Sequence, residues 1–440
     1  MAHFTAGGHF PSLLPEKTLE LLPALDSIVR FEGEITLLEL IQNLDHPELW
    51  KQIPGLAFRN STETIISEVR PLIPELDSLP LLFRDEEPKQ MGKGIKMASM
   101  LASRGCLHNC SFCSIRQFYG IPDGQLRRVR SPQAVVEEML NLYAEKGVRF
   151  FSFQDDDFTT QSIAQQKWVK AFLKELEKAG LERKIAWKVS CRVDDLEPNL
   201  LGMMVSHGLI AVYLGVESGN DIGLQTLNKH ASVEQNITAI NLLKEYQLAM
   251  SIGFMLFDPS STIETVRQNI AFLQNVGADG YFPINFCKML PYAGTPIEAK
   301  LRNEGRLQDT VVQPDYGFHD PILDWYEFLI KQVFSRRNFS NTGIVSLLQQ
   351  ADFNWHLASY FNSIPIQADW KQVLQQMIRD TNMLAIKTLE SLLEDIIRYG
   401  IDFLLQEQQE RIVTLFEQEW RGEMQAEVQL EKLRATWNCD

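Results

Sequence analysis

Between about residues 95 and 290, short apolar segments alternate six times with longer segments of helical periodicity. The apolar segments are KMASMLAS, VRFFSFQ, KIAWKVS, IAVYLGV, LAMSIGFMLF and YFPINFCKML. Several helical segments begin at Ser or Thr and end at Gly, as capped helices do. Strands that alternate with helices form parallel sheets. Because six units are fewer than the eight of a closed barrel, the sequence predicts an α/β fold with a partial (βα)6 TIM-like barrel.

The chain divides into three regions that differ in their sequence pattern. Residues 1–85 predict a short α/β remnant and an extended proline-rich linker, because SIVRFEGEITLLELIQNL has the pattern of a strand, a Gly-containing turn and a helix. Residues 90–300 hold the predicted barrel. Residues 315–440 predict a helical region with apolar residues at helical spacing among many Glu and Gln. We interpret this last region as a helical cap or packing surface, with a partner-binding helix as the alternative.

Composition limits the classes of partner and compartment. The chain has 440 residues and a net charge of −15, which argues against nucleic acid because phosphates are bound by Lys and Arg. No apolar run reaches the length of a membrane span, and the first residues lack the basic and apolar parts of a secretory signal. We therefore expect a cytoplasmic protein whose thiols stay reduced.

Three of the six cysteines lie in one short segment, GCLHNCSFC, as Cys106, Cys110 and Cys113. The segment follows the first predicted strand, at the strand end where this architecture places its chemistry. The spacing C-x3-C-x2-C allows three thiolates to hold one inorganic centre, and a [4Fe-4S] cluster with three Cys ligands keeps one iron open. The alternative is a zinc site with a fourth ligand. His108 lies within the loop but is too close to its neighbours in sequence to complete a comfortable tetrahedron, and a second Cys pair is absent.

The C-x3-C-x2-C motif after the first strand of a six-unit βα region resembles that of the radical S-adenosylmethionine (SAM) enzymes. The resemblance covers about residues 90 to 300. It implies a [4Fe-4S] cluster whose open iron is chelated by the amino and carboxylate groups of SAM. It also implies reductive cleavage of SAM to a 5′-deoxyadenosyl radical, with a small protein of the flavodoxin or ferredoxin type as the electron donor.

Polar residues at the ends of the second and third predicted strands are candidates for cofactor binding. Asp155 belongs to a cluster of carboxylates that needs a cation or hydrogen-bond donors, such as the SAM ammonium; helix capping is the alternative for this cluster. Arg192 is suited to binding a carboxylate through two hydrogen bonds, and Ser190 to adding a third. The alternative for Arg192 is an ion pair with a neighbouring Asp.

Three further positions follow from the resemblance. Phe112 matches the aromatic residue that the family places beside adenine, with simple core packing as the alternative. Glu217, after the fourth strand, resembles the residue that contacts the SAM ribose or amino group. Gly253, on the fifth strand, resembles the backbone edge that holds adenine, where a glycine permits close approach.

The N-terminal region carries a second resemblance. GGHF, DSIVRFEGEITLLELI and IPGLAFRN resemble the latter half of a cobalamin-binding domain, although Phe31 stands where that subfamily usually has Gly. The Asp-x-His-x-x-Gly loop that would ligate cobalt is absent, and His3 and His9 do not match it. Either the chain is truncated at its start or the region has lost cobalamin, which is retained as a candidate cofactor.

The preferred hypothesis is a radical SAM enzyme that acts on an unactivated carbon of an unknown substrate. Methyl transfer, epimerisation and cyclisation all stay open. The alternatives are a non-catalytic protein that binds zinc or an iron–sulfur centre, and a partner-binding scaffold with a vestigial core. A single cluster is expected, because Cys191, Cys287 and Cys439 are scattered singly.

Overall fold

The six apolar segments of the alternating region form neighbouring strands of one curled sheet. The computed structural model describes residues 2–60, 63–91, 94–308, 314–361, 369–400 and 406–437, so Cys439 lies outside the described residues. The strands are β1 Thr5–Gly7, β2 Ser27–Val29, β3 Leu56–Arg59, β4 Thr64–Ile66, β5 Lys89–Gln90, β6 Lys96–Met100, β7 Ser103–Arg104, β8 Arg128–Val129, β9 Val148–Phe153, β10 Ala186–Arg192, β11 Leu209–Glu217, β12 Ala249–Phe257, β13 Cys287–Lys288, β14 Leu307–Gln308 and β15 Asp315–Tyr316.

The helices lie between these strands and, after residue 320, follow one another directly. They are α1 His9–Leu13, α2 Pro15–Leu21, α3 Glu34–Gln42, α4 Ser114–Gly120, α5 Pro132–Lys146, α6 Ile163–Lys178, α7 Pro198–Ser206, α8 Asp221–Thr226, α9 Val233–Glu245, α10 Ile263–Gly277, α11 Pro296–Asn303, α12 Pro321–Phe339, α13 Ile344–Tyr360, α14 Trp370–Tyr399 and α15 Gln406–Trp437. The helix after each of the first five barrel strands lies where the periodicity predicts it. Four of these helices are N-capped by Ser or Thr side chains, namely Ser131, Ser162, Ser232 and Thr262.

The main sheet confirms the partial barrel. Its strand order is β13-β12-β11-β10-β9-β6-β5, and each neighbouring pair from β6 to β13 is parallel. Strand β5 is antiparallel to β6 at the edge. The sequence did not predict β5, because two residues within a linker carry no detectable alternation. The region boundaries at 85–90 and 300–315 stay a prediction.

Strand β13 is much shorter than the apolar segment YFPINFCKML that predicted it. Side chains of the C-terminal helices form hydrogen bonds with backbone groups of this segment. In a longer strand, these groups would pair with the neighbouring strand. Asn382 accepts from the Ile284 amide at 2.9 Å and donates to the Phe282 carbonyl at 3.0 Å. Arg337 donates to the Ile284 carbonyl at 3.0 Å, and Asn338 donates to the Phe286 carbonyl at 2.9 Å. The helical region therefore completes the last barrel segment.

Helix α13 packs against the starting ends of the barrel strands. Phe353 meets Phe150 of β9 with ring centroids 4.9 Å apart. Leu357 is 1% exposed and belongs to a cluster with Ala186 of β10 and Ala249 of β12. The amphipathic C-terminal region thus forms a packing surface for the barrel, as the sequence predicts.

The N-terminal region forms a four-stranded sheet in the order β1-β2-β3-β4, and only the β1–β2 pair is parallel. The predicted strand and helix are β2 and α3. Phe31, between them, adopts a left-handed backbone with φ of 61°. A β-carbon makes this conformation costly, so glycine, which the resemblance implies for this position, would adopt it more easily.

Helix α15 is joined to the fold partly through a buried carboxyl group. Glu419 is 1% exposed, accepts a hydrogen bond from Thr388 at 2.9 Å and lies 3.8 Å from Arg337 Nε. Burial raises the pKa of the Glu419 carboxyl to about 7, against the opposing effect of Arg337. The folded chain therefore binds a proton here at pH values where the unfolded chain has released it.

This proton predicts that wild-type stability falls, relative to a Glu419→Gln variant, as the pH rises from below 5 to above 7. Protonation stabilises the fold at low pH, and that contribution is lost as the pH passes the folded-state pKa. We expect the difference in unfolding free energy to change by about 2–3 kcal/mol between pH 5 and pH 8. Urea unfolding of both proteins at the two pH values measures it, and a difference independent of pH would contradict the assignment.

Candidate functional site

The cysteine loop comes shortly after β6. Between the two, Ser103 and Arg104 form the short strand β7, which pairs with β8. It runs from Gly105 to Cys113, which is the N-cap residue of α4. Gly105 has φ of 82°, and a β-carbon placed there would lie 1.8 Å from the Leu126 carbonyl oxygen. The loop can therefore start in this direction only with glycine at this position.

The three cysteines of the loop are free thiols with little exposure. Burial, together with nearby negative charge, raises the pKa of Cys106 to about 12 and the pKa of Cys113 to about 11, and burial raises that of Cys110. Without a cation, these groups stay protonated at neutral pH. A metal centre would supply the positive charge that three neighbouring thiolates need.

The number of ligands that the loop offers distinguishes between two kinds of centre. A structural zinc site has four protein ligands, whereas a [4Fe-4S] cluster can be held by three cysteines and keep one iron open. The loop supplies three sulfurs, and its one histidine, His108, lies against Asp157 and Asp195. The donor set therefore fits a three-cysteine iron–sulfur centre better than a structural zinc ion.

His108 is engaged by two carboxylates. Its Nε2 lies 3.0 Å from Asp195 Oδ2 and 3.6 Å from Asp157 Oδ2, and both carboxylates are almost fully buried. Asp195 Oδ1 also accepts from the Gln161 amide at 2.9 Å. The imidazole therefore ties the cysteine loop to the ends of β9 and β10 and does not act as a fourth ligand with the cysteines. Sequence reasoning considered His108 only as a zinc ligand and missed this contact.

The carboxylates after β9 accept hydrogen bonds from residues at and just before the start of the cysteine loop. Asp155 accepts from the Ala102 amide at 3.1 Å and from the Ser103 hydroxyl at 2.5 Å. Asp156 accepts from the Gly105 amide at 2.8 Å. Burial raises the pKa of Asp155 to about 6, although these hydrogen bonds oppose the shift. Both oxygens of Asp155 thus accept hydrogen bonds from residues just before the cysteine loop. The predicted contact of Asp155 with a cofactor stays a prediction.

Arg192, at the end of β10, is 6% exposed and lies beside the loop. Its Nη1 donates to Cys110 Sγ at 3.2 Å. Its other nitrogens pair with both carboxylate oxygens of Asp194 at 2.9 and 3.0 Å, the alternative ion pair that the sequence left open. Ser190 shares the face of β10 with Arg192, whereas Cys191 points into the helix-side core. The predicted SAM contacts of Arg192 and Ser190 stay predictions.

Glu217 ends β11 at a bulge and has φ of 69°. Its Oε1 accepts from Lys229 Nζ at 3.0 Å, and Lys229 is 3% exposed. Its Oε2 receives no hydrogen bond from the described residues. Sequence reasoning missed Lys229, which lies between two helices without any pattern. The signal that could have led to it is the need of a half-buried carboxylate for a cation.

Gly253 and Phe112 are positioned near this pair. A β-carbon on Gly253 would lie 2.4 Å from Tyr213 Oη and 3.5 Å from Glu217 Oε2, so the Tyr213 ring would have to shift to admit one. Phe112 packs partly buried against the core and also lines a cavity. Gly253 lies in the middle of β12, and Phe112 belongs to the cysteine loop itself. Their predicted adenine contacts stay predictions.

The N-terminal region does not fit the cobalt-ligating role. His3 Nε2 lies 2.8 Å from Ser27 Oγ, and its ring packs edge-on against Trp50. His9 Nδ1 lies 2.9 Å from Ser114 Oγ, and its ring stacks on Phe118 with centroids 4.3 Å apart. Both imidazoles are engaged in packing, so we derive no step through cobalamin.

Comparison with solved structures shows the same fold in two proteins. The cobalamin-dependent SAM radical enzyme OxsB, solved with aqua-cobalamin, aligns with a TM-score of 0.68 at 16% identity, covering 97% of this chain and 67% of OxsB. The radical SAM methyltransferase TsrM from Kitasatospora setae aligns with a TM-score of 0.56 at 18% identity, covering 69% of this chain and 60% of TsrM. At these identities the likeness concerns the fold alone. No helix among the described residues has the length and apolar character needed to cross a membrane.

Comparison of sequences gives relatives over most of the chain. An uncharacterized methyltransferase of Pyrococcus horikoshii is 29% identical over 330 residues, covering 74% of this chain and 69% of that protein. The anaerobic magnesium-protoporphyrin IX monomethyl ester cyclase of Cereibacter sphaeroides is 29% identical over 327 residues, covering 72% of this chain and 51% of that protein. Residues 100–273 match the family model of the radical SAM superfamily. Since this match starts at the last residue of β6 and includes the cysteine loop and the following strands through β12, residues 100–273 of this chain form a radical SAM domain.

Proposed function

We propose that the chain holds one [4Fe-4S] cluster through Cys106, Cys110 and Cys113 and uses it to cleave SAM reductively. The observation that carries this proposal is the loop of three free thiols, one buried and two partly buried, whose one histidine, His108, is engaged by buried carboxylates. When bound, the cluster supplies the electron that breaks the sulfonium bond of SAM, releasing the 5′-deoxyadenosyl radical. This chemistry is that of an enzyme acting on an unactivated carbon.

Glu217 is proposed to bind SAM with the oxygen that Lys229 leaves free. The Lys229 ammonium holds Oε1 at 3.0 Å and fixes the carboxylate toward the strand ends. Oε2 is then available to accept from a ribose hydroxyl or from the SAM ammonium, as a charge-assisted hydrogen bond. Arg192, Ser190 and Asp155 are retained as proposed contacts of the SAM amino-acid part, and Arg192 additionally donates to the Cys110 sulfur.

The reaction is proposed to be a methyl transfer or a ring closure. Support comes from the names of the relatives, which include methyltransferases and anaerobic magnesium-protoporphyrin IX monomethyl ester cyclases. The chain spans 69% and 51% of the first two of these relatives, so their substrates are not transferred to it. A non-catalytic zinc protein is disfavoured because His108, the one histidine of the loop, is engaged by Asp157 and Asp195.

We further propose a small electron-transfer protein of the flavodoxin or ferredoxin type as the reductant. Leu107, inside the cysteine loop, is 54% exposed, so the loop lies close enough to the surface for electron entry. A cytoplasmic location is proposed because the described cysteines are free of disulfides, which is typical of a reducing compartment.

The test is the release of 5′-deoxyadenosine from SAM by the anaerobically reconstituted, dithionite-reduced protein. We expect release by the wild type. Glu217→Ala should weaken SAM binding about tenfold, as expected for the loss of one charge-assisted hydrogen bond. Glu264→Gln, on the exposed face of α10, is the control and should bind SAM like the wild type. Absence of 5′-deoxyadenosine from protein with a full cluster would refute the proposal.

A further inference from the structure

A cavity of about 990 Å³ opens beside the cysteine loop, between the ends of β12 and β13 and helix α12. Its lining includes Phe112, between the second and third cysteines of the loop, and Met255, two residues after Gly253. The cavity therefore adjoins the predicted cluster and SAM residues, and its other lining residues come from β13, α12 and the segments beside them. This position lets a molecule reach the reacting centre with one edge while its body lies under α12.

The walls of the cavity are mainly apolar, and six of the 19 lining side chains are aromatic. Phe257, Phe286 and Phe334 are almost fully buried there, and Phe286 meets Phe334 edge-on with centroids 5.1 Å apart. At the mouth, Tyr292 is 49% exposed and Phe339 is 62% exposed. Apolar side chains of this size are costly to leave in water, and a cluster of them around an opening marks a binding site. Flat ring systems gain most from aromatic walls, through stacked and edge-on contacts.

The charged groups of the cavity nearly cancel. Lys288 is paired with Asp315 at 2.6 Å and with Glu327 at 3.8 Å, and it also lies over the Tyr316 ring. Lys331, one turn after Glu327 on α12, is exposed and has no ion pair within 4 Å among the described residues. The interior thus offers no net positive charge for a polyphosphate, whereas the mouth offers one ammonium for a carboxylate.

We propose that this cavity binds the substrate, and that the substrate is a bulky, flat, multi-ring molecule with a carboxylate directed toward Lys331. The inference rests on the proposed function, because it takes the cysteine loop to be the reacting centre. The volume lies at the upper end of ordinary ligand pockets, which favours a molecule larger than a free amino acid or a monosaccharide.

The experiment measures the fluorescence anisotropy of two probes with the full-length protein: protoporphyrin IX, which carries carboxylates, and its uncharged dimethyl ester. Both should bind with one-to-one stoichiometry. Ser335→Trp fills the cavity from an exposed position on α12 and should weaken both probes at least tenfold, whereas Gln332→Trp, on the same helix outside the lining, should not. Lys331→Met should weaken protoporphyrin IX about tenfold and leave the ester unchanged.

Equal binding by the Ser335→Trp variant and the wild type would overturn the proposal, as would tighter binding of palmitate or ATP than of either porphyrin. An equal effect of Lys331→Met on acid and ester would overturn the carboxylate assignment. Probe binding needs no SAM cleavage, so the two proposals fail separately. Loss of probe binding with normal 5′-deoxyadenosine release rejects the cavity, and normal probe binding without release rejects the radical chemistry.

Discussion

Reconstituted protein with Cys106→Ala, Cys110→Ala or Cys113→Ala is expected to lose its iron–sulfur chromophore. Each substitution removes one of three thiolates, and His108, which is engaged by Asp157 and Asp195, does not replace it. Iron content should fall from about four per chain to below one, together with the visible absorption band. Iron and sulfide analysis after anaerobic reconstitution measures the loss.

Cys191→Ala and Cys287→Ala are the matched controls. Cys191 packs in the helix-side core, and Cys287 lines the cavity beside α12, so both should keep the full cluster. The ligand assignment would fail if a loop variant retained four irons, or if a control variant lost them while its fold, monitored by circular dichroism, stayed intact.

Gly105→Ala is expected to have the second large effect, on the fold of the loop itself. The residue has φ of 82°, and its new β-carbon would lie 1.8 Å from the Leu126 carbonyl oxygen, a backbone atom that cannot turn aside. The cost in unfolding free energy should be about 3 kcal/mol, from strained backbone and overpacking together. Reconstitution should also yield less cluster, because the loop can no longer leave β7 in its native direction.

Gly305→Ala separates the two causes of this cost. Gly305 has φ of 66°, and a β-carbon added there would meet no other atom within 4 Å. Gly305→Ala should therefore lower the free energy of unfolding only through the strained backbone, by about 1 kcal/mol, and should keep its normal cluster content. Urea unfolding of the two variants gives the comparison, and equal destabilisation would mean that the contact with Leu126 is not the cause.

The alternation of apolar strands and capped helices predicted the barrel well, because both signals are local. Strands β6, β9 and β12 lie within the predicted segments, and β10 and β11 extend one or two residues beyond theirs. Helices α5, α6, α9 and α10 begin after the predicted Ser or Thr caps. Strand β13 was predicted too long. Asn382, Arg337 and Asn338 take over the backbone hydrogen bonds of that segment from residues far along the chain, which no local pattern reveals.

The candidate site was predicted less completely than the fold. The motif identified Cys106, Cys110 and Cys113, and the ends of the strands identified Glu217 and Arg192 as polar groups of the same edge. The actual bonds of these groups depend on residues from other loops. Sequence spacing gave no sign that Lys229 pairs with Glu217, or that Arg192 donates to Cys110.

The sequence by itself determined the periodic units and the spacing of the thiols, because strand alternation, helix caps and a short loop are properties of neighbouring residues. Only the tertiary structure decided which charges meet. Burial makes an unpaired charge costly, so Glu217 and Lys229, and likewise His108 and Asp195, are brought together by the packing of separate βα units. The cavity under α12 arises in the same way, from the packing of a distant helix over the last barrel strand.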